Sequence, residues 1–175
     1  MMKAIKNLIF MIAALAIIRF LSCAPQQRIN SGDAYLRIKP AAPLPEAVAK
    51  RQPVNLVVNI LNVADTRTSY KNHLDLFIND RFLVLPNEEI TNITSDYHYR
   101  LSLQPGIYKI KALYYASTGW QEKAYKILPR DEQVMIFADK RAILKVALRK
   151  DSWGAPVDKV TFFDINYEPI NSDEE

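Results

Sequence analysis

Asp96–Ala116 reads DYHYRLSLQPGIYKIKALYYA, and this stretch decides the fold. Tyr97, Tyr99, Leu101 and Leu103 fall on one side of a period-two alternation, with His98, Arg100 and Ser102 on the other. That pattern belongs to a strand with one face in a core. Gln104-Pro105-Gly106 interrupts it: proline presets φ at the first turn position and Gly106 is expected to take the positive-φ position after it. The alternation resumes at once, Tyr108, Ile110, Ala112 and Tyr114 opposing Lys109, Lys111, Leu113 and Tyr115. His98 is expected to point away from the core that its flanking tyrosines face.

The same signal extends in both directions. Upstream, Val54–Val63 is rich in β-branched residues. Leu74–Ile78 and Arg81–Leu85 flank Asn79-Asp80, whose types tolerate the positive φ of a two-residue hairpin turn. Downstream, strands are expected at Ala124–Leu128, Val134–Ala138, Ile143–Arg149 and Val160–Tyr167. No stretch of this region has helical periodicity of useful length. Short strands at regular spacing indicate a sandwich or a barrel. With only four glycines to close a small barrel, the expectation over residues 54–170 is all-β: an Ig-like or transthyretin-like antiparallel β-sandwich of about seven to nine strands.

Before residue 54 the chain reads differently. Ala24–Asp33 (APQQRINSGD) is polar and aperiodic, and Pro40–Pro53 carries four prolines, with Pro45 placed to open a short helix. Residues 23–53 are therefore expected to form a tether and Pro-rich crossover, with one short strand at Ala34–Lys39. Residues 171–175 (NSDEE) form a solvated acidic tail.

The first 22 residues read as a leader. Lys3 and Lys6 precede an unbroken apolar run of eleven residues, Leu8–Ile18, and small Ser22 precedes Cys23, the single cysteine of the chain. A charged start, a short apolar core and a small residue at the junction describe a secretory signal peptide. As a helix the run would span roughly 16 Å, about half of a ~30 Å hydrocarbon core. Phe20-Leu21-Ser22-Cys23 resembles the lipobox of bacterial lipoproteins, with Phe20 where an aliphatic residue is usual and Arg19 interrupting the apolar region. The resemblance implies that Cys23 becomes the mature N-terminus and carries diacylglycerol and a further acyl chain such as palmitate. The partner is then the membrane itself, and the location the cell envelope. Ala24, where an inner-membrane retention signal would be aspartate, points to the outer membrane, on its periplasmic or surface face.

A second resemblance lies in the middle of the chain. Leu74–Tyr114, ending in the run Leu103-Gln104-Pro105-Gly106-Ile107-Tyr108-Lys109-Ile110, is similar to the PEGA-type and carboxypeptidase-regulatory-like β modules of bacterial surface proteins. It departs from them at Asn79-Asp80, where they favour an Asp-Gly turn. The resemblance implies a non-catalytic binding, spacing or structural unit.

Composition excludes several classes. The formal charge of +4 falls to about +1 once Lys3, Lys6 and Arg19 leave with the leader, and the remaining charges alternate in sign. A nucleic-acid binder would show a concentrated basic footprint, so no nucleic-acid partner is expected. No glycine-rich phosphate loop or nucleophile elbow is present. His73 and Asp75 would share a strand face, as an acid/base pair needs, but no further His or Cys completes a metal set. No cofactor and no catalytic residue is assigned. Asn92-Ile93-Thr94, a glycosylation sequon, reads as a polar loop.

Aromatics supply the remaining lead. Tyr114, Tyr115, Trp120 and Tyr125 cluster around Ser117-Thr118-Gly119-Trp120, and Trp153 stands in a second loop. Such residues either serve recognition, of a sugar ring or an envelope protein partner, or fold back to cap the core. The function expected is a membrane-anchored, non-enzymatic interaction module. The alternative is a carbohydrate-binding protein or envelope hydrolase that uses the Trp120 loop or His73/Asp75.

Overall fold

The computed structural model describes residues 28–44, 53–61, 71–84, 96–117, 120–151 and 155–170. The leader, Cys23, the Pro45 helix start, the Asn92 sequon, Trp153 and the acidic tail lie outside the described residues. Among the described residues, twelve strands form two sheets. They are β1 (Arg28–Asn30), β2 (Ala42–Pro43), β3 (Leu56–Leu61), β4 (Lys71–Ile78), β5 (Arg81–Val84), β6 (Tyr97–Leu101), β7 (Gly106–Ser117), β8 (Glu122–Leu128), β9 (Gln133–Ile136), β10 (Lys140–Ala147), β11 (Val160–Phe162) and β12 (Asp164–Pro169).

The larger sheet runs β1-β5-β4-β7-β8-β11, with β2 and β9 also paired to β7, and the smaller runs β12-β10-β3-β6. β7 is the axis. Its first residues pair with β2 and β9, its later ones with β4 and β8. The alternation read from sequence holds along it: Tyr108, Ile110, Ala112 and Tyr114 are buried, while Lys109, Lys111 and Tyr115 stand on the other face. Leu56, Val58, Ile60, Tyr99, Leu101 and Leu144 of the smaller sheet join them in one hydrophobic core. The protein is a β-sandwich. Three pairings within it are parallel, β1 with β5, β3 with β10 and β8 with β11, so both sheets are mixed.

The Asn79-Asp80 hairpin forms as expected, with φ of 49° and 60° at its two turn residues. Asn79 does more than turn the chain. Its amide donates to the Lys39 carbonyl at 2.7 Å and its Oδ1 accepts the Lys109 N–H at 2.8 Å, so the turn is tied to two other segments.

Several expectations are corrected. The strand expected at Ala34–Lys39 is a 3-10 turn, Ser31–Asp33, followed by one turn of α-helix, Ala34–Arg37. Ala34, Tyr35 and Ile38 are buried, and residues one turn apart reach the core on the same helical face. Residues 28–44, read as part of a tether, are packed into the sandwich: Ile29 is fully buried through the β1–β5 pairing, and β2 joins β7. Gly106 explains how this segment fits. A Cβ there would stand 2.4 Å from Pro40 Cβ and 2.7 Å from the Ala42 carbonyl oxygen, at φ +155°. Glycine is needed here for the positive φ expected after Pro105 and, beyond what the sequence showed, because the N-terminal crossover lies against β7.

The strand expected over Val160–Tyr167 is two. Phe163, 2% exposed, sits between β11 in the larger sheet and β12 in the smaller, and its N–H still bonds the Leu128 carbonyl at 2.9 Å. One residue buried between the layers moves the chain across the sandwich edge.

The smaller sheet carries a buried polar clamp that composition could not reveal. Asn55 is fully buried, and its amide donates to the carbonyls of Leu103 at 2.8 Å and Phe137 at 3.3 Å. Its Oδ1 accepts the Leu103 N–H at 2.9 Å. The side chain thus satisfies both backbone groups of Leu103, joining the start of β3 to the residues between β6 and β7.

Candidate functional site

Chemistry-bearing side chains gather at one end of the larger sheet, on the face turned away from the core. β4, β7 and β8 lie side by side there, in the register His73↔Tyr115↔Ala124 and Asp75↔Leu113↔Lys126. His73, Asp75 and Phe77 share the outer face of β4 because they are two apart. Directly opposite His73, the Tyr115 ring stacks on the imidazole at 4.4 Å with an interplanar angle of 11°. Glu122 opens β8 and brings its Oε1 to 3.8 Å from His73 Nδ1, an ion pair whenever the imidazole is protonated. Both partners are about half exposed, so its contribution to stability is small.

Asp75 lies deeper on the same strip. Burial pushes its carboxyl above the usual carboxylate range; His73 opposes that shift, Glu122 adds to it and Arg28 opposes it. The Tyr115 hydroxyl is pushed up by burial and then by the negative charges of Asp75 and Glu122. Beyond Asp75 the strip becomes apolar. Phe77 and Phe82 pack at 5.7 Å, with the Lys111 ammonium 4.7 Å from the Phe77 centroid and the Arg28 guanidinium 5.8 Å from that of Phe82. Long basic side chains laid over aromatic rings shield that part of the face while keeping their charges in water.

Trp120 stands in the β7–β8 connection, two residues before Glu122, and is 99% exposed. It does not fold back over the sheet edge. The aromatic cluster read around it divides between the two faces of the sheet: Tyr114 (1% exposed) and Tyr125 (8%) point into the core, while Tyr115 is on the outer face with His73. Alternation along a strand enforces this division, since Tyr114 and Tyr115 are neighbours in sequence. Of the four aromatics proposed from sequence, Trp120 and Tyr115 remain available to a ligand on that outer face. No family model, characterised protein or solved structure matches the chain.

His73 and Asp75 do share a face, as their spacing requires. Glu122 and Arg28 were not legible as their neighbours, because Glu122 reaches His73 only through the β7–β8 register, and Arg28 approaches only through the parallel β1–β5 pairing. His98 points outward and bonds Asn59 Oδ1 at 2.9 Å on the other sheet. Among the described residues, no group of three or more His, Cys, Asp or Glu is placed to hold a metal ion. No helix among them is long and apolar enough to cross a membrane. An open groove lined by Arg130, Asp131 and Phe163–Asn166 lies at the β11–β12 crossing and contains none of the residues proposed from sequence.

Proposed function

We propose that the chain is a bacterial envelope lipoprotein, anchored through Cys23, whose β-sandwich is a non-catalytic interaction module. The observation that carries the binding part is the complete exposure of Trp120 at the end of a hairpin whose neighbouring strip offers the His73–Tyr115 stack and the Glu122 carboxylate. Exposed tryptophan is costly to leave in water and is enriched among residues that dominate binding energy. A flat stacked surface edged by carboxylate suits an amphipathic partner, either a protein loop or the face of a sugar ring. The anchor part rests on the Ser22-Cys23 junction after a short apolar run. Two or more acyl chains would hold the protein stably at a membrane, at ~0.8 kcal/mol per buried CH₂.

The anchor is tested by intact-mass analysis of detergent-extracted native protein beside Cys23→Ala. The proposal expects a mature species starting at Cys23 with added acyl mass, lost in the variant. An unmodified thiol on an uncleaved chain would refute it. The binding surface is tested with a photo-crosslinking amino acid at position 120 in cells, against one at exposed Lys145 on the smaller sheet. A discrete adduct at 120 alone is expected; identical patterns at both positions would refute the assignment. Turnover of a cell-wall polysaccharide lost in Asp75→Asn would instead establish a hydrolase, the reading that the raised Asp75 carboxyl near Glu122 favours.

A further inference from the structure

β12 ends the smaller sheet, and its pairing with β10 sets which of its backbone groups are left over. The Ile170 N–H donates to the Asp139 carbonyl at 3.0 Å, and the register then runs from Lys140↔Pro169 to Lys145↔Asp164. Hydrogen bonding alternates along an antiparallel pair, so Glu168, Asn166 and Asp164 turn their backbone groups toward β10. Ala142 shows the same alternation from the other strand, because its N–H bonds the Asn55 carbonyl, away from β12, at 2.9 Å. Ile165 and Tyr167 therefore direct their N–H and C=O groups outward, and among the described residues none receives them. Pro169, next in that row, offers a carbonyl but no N–H. A row of this kind is a template for another strand.

A groove lies along this edge. The Phe163 N–H bonds the Leu128 carbonyl at 2.9 Å, and beyond that point β12 and the β8–β9 turn part. The opening, about 580 Å³, is lined by Phe163, Asp164, Ile165 and Asn166 on one side and by Arg130 and Asp131 on the other. Four consecutive strand residues span roughly 10 Å, so the groove follows an extended backbone. The Tyr167 ring is held at 5.4 Å from Phe137, edge to face, on the core side of the strand.

Side chains select the occupant. On its outer face β12 presents Asp164, Asn166 and Glu168, all exposed, and Asp131 adds a carboxylate from the groove wall. On the occupied side, β10 sets Lys145 opposite Asp164 and Arg141 opposite Glu168. Among the described residues neither β12 carboxylate forms an ion pair. A second copy of the chain is a poor occupant: antiparallel pairing about Asn166 would set Asp164 against Glu168 twice, and like charges directly opposite are destabilising. A strand with basic residues four apart would instead repeat on the free side the arrangement that β10 makes on the other.

We propose that the free edge of β12 receives an extended segment of a partner protein by antiparallel strand addition, with Lys or Arg four residues apart facing Asp164 and Glu168 and apolar residues beside Ile165 and Tyr167. Main-chain bonds hold such a segment and alternate side chains select it. The edge lies in the smaller sheet, whereas Trp120 stands in the larger, so the proposal does not depend on the interaction surface described above.

The test uses NMR of the isotope-labelled full chain with the peptide acetyl-Gly-Lys-Val-Thr-Val-Lys-Gly-amide added to about 1 mM. In the free chain the Ile165 and Tyr167 amides are expected to exchange with solvent about ten-fold faster than those of Asn166 and Glu168, or more; equal protection would show the edge already covered and overturn the proposal. The peptide is expected to shift the Ile165 and Tyr167 amides saturably and to slow their exchange, and the absence of saturable shifts there would overturn it. Glutamate in place of both lysines is expected to weaken binding about ten-fold, since two opposite-charge pairs become like-charge pairs; equal binding would overturn the basic character of the partner. Methylation of both valine nitrogens removes the donors to β12 and is expected to abolish binding, and unchanged binding would overturn strand addition. Asp164→Lys with Glu168→Lys is expected to invert the preference between the two charged peptides; an unchanged preference in a folded variant would overturn the assignment to this edge.

Discussion

Asn55→Leu is expected to be among the most damaging single changes in this sandwich, although it adds an apolar side chain of similar size to an apolar environment. Three side-chain hydrogen bonds disappear: two to Leu103, at 2.8 and 2.9 Å, and a longer one to Phe137 at 3.3 Å. Leucine can replace none of them. The N–H and C=O of Leu103 are then left without partners beside a position that is fully buried, and each such group costs about 1–3 kcal/mol. The apolar gain of the leucine offsets about 1 kcal/mol of this, since the Asn55 site is shaped for a planar amide. The net loss is about 3 kcal/mol.

With a urea slope of about 2 kcal/mol/M, a loss of that size moves the unfolding midpoint down by about 1.5 M. Urea titration followed by far-UV circular dichroism reads this directly. A midpoint within 0.3 M (roughly 0.6 kcal/mol at that slope) of the unmodified protein would refute the claim that these bonds hold the β3 entry to the residues after β6. Asn55→Asp sharpens the test. Its carboxylate can still accept the Leu103 N–H, but it sets a second oxygen against the Leu103 carbonyl. Burial would raise that carboxyl in the folded state, so stability must fall as pH rises and recover on acidification, when the protonated acid can donate.

Gly106→Ala brings a methyl group within 2.4 Å of Pro40 Cβ at φ +155°, and is expected to cost about 3 kcal/mol, read as a fall of about 10 °C in thermal midpoint. Trp120→Ala should leave the urea midpoint unchanged within about 0.5 kcal/mol, because nothing packs on a 99% exposed ring, while abolishing partner adducts formed from an adjacent crosslinker at position 121. Lys150→Met should alter the pH dependence of stability. Lys150 has a folded pKa of about 8 against an ordinary 10.5, so the unfolded chain binds more protons between those values and the unmodified protein gains stability relative to the variant from pH 8 to 9.5. Parallel urea titrations at pH 7.5 and 9.5 measure the difference; equal slopes for the two proteins would contradict the buried-amine argument.

Legibility from sequence followed the range of the forces involved. Strand existence and facing were readable because alternation is a local signal, and the buried set of β7 repeats it residue by residue. The Asn79-Asp80 turn was readable because positive φ selects residue types at two adjacent positions. The short helical turn at Ala34–Arg37 was not: four residues give too little periodicity to separate it from a strand, and its burial depends on partners far along the chain. For the candidate site, His73 and Asp75 were placed correctly on one face by spacing alone, whereas the stack on Tyr115 and the approach of Glu122 needed the register of β4 and β8 on β7.

The sequence by itself determined the all-β class, the inward face of its central strands and the position of the Asn79-Asp80 hairpin turn, because each depends on residue type and a period of two. It also holds the apolar run Leu8–Ile18 and a lone cysteine at residue 23, the grounds for the proposed anchor. Only the tertiary structure decided the three parallel pairings, the crossing at Phe163, the incorporation of residues 28–44, and the separation of Tyr114 from Tyr115 onto the core face and an outer strip. These rest on contacts between residues distant in sequence, where the closure of the core selects one arrangement among many that satisfy the same local pattern.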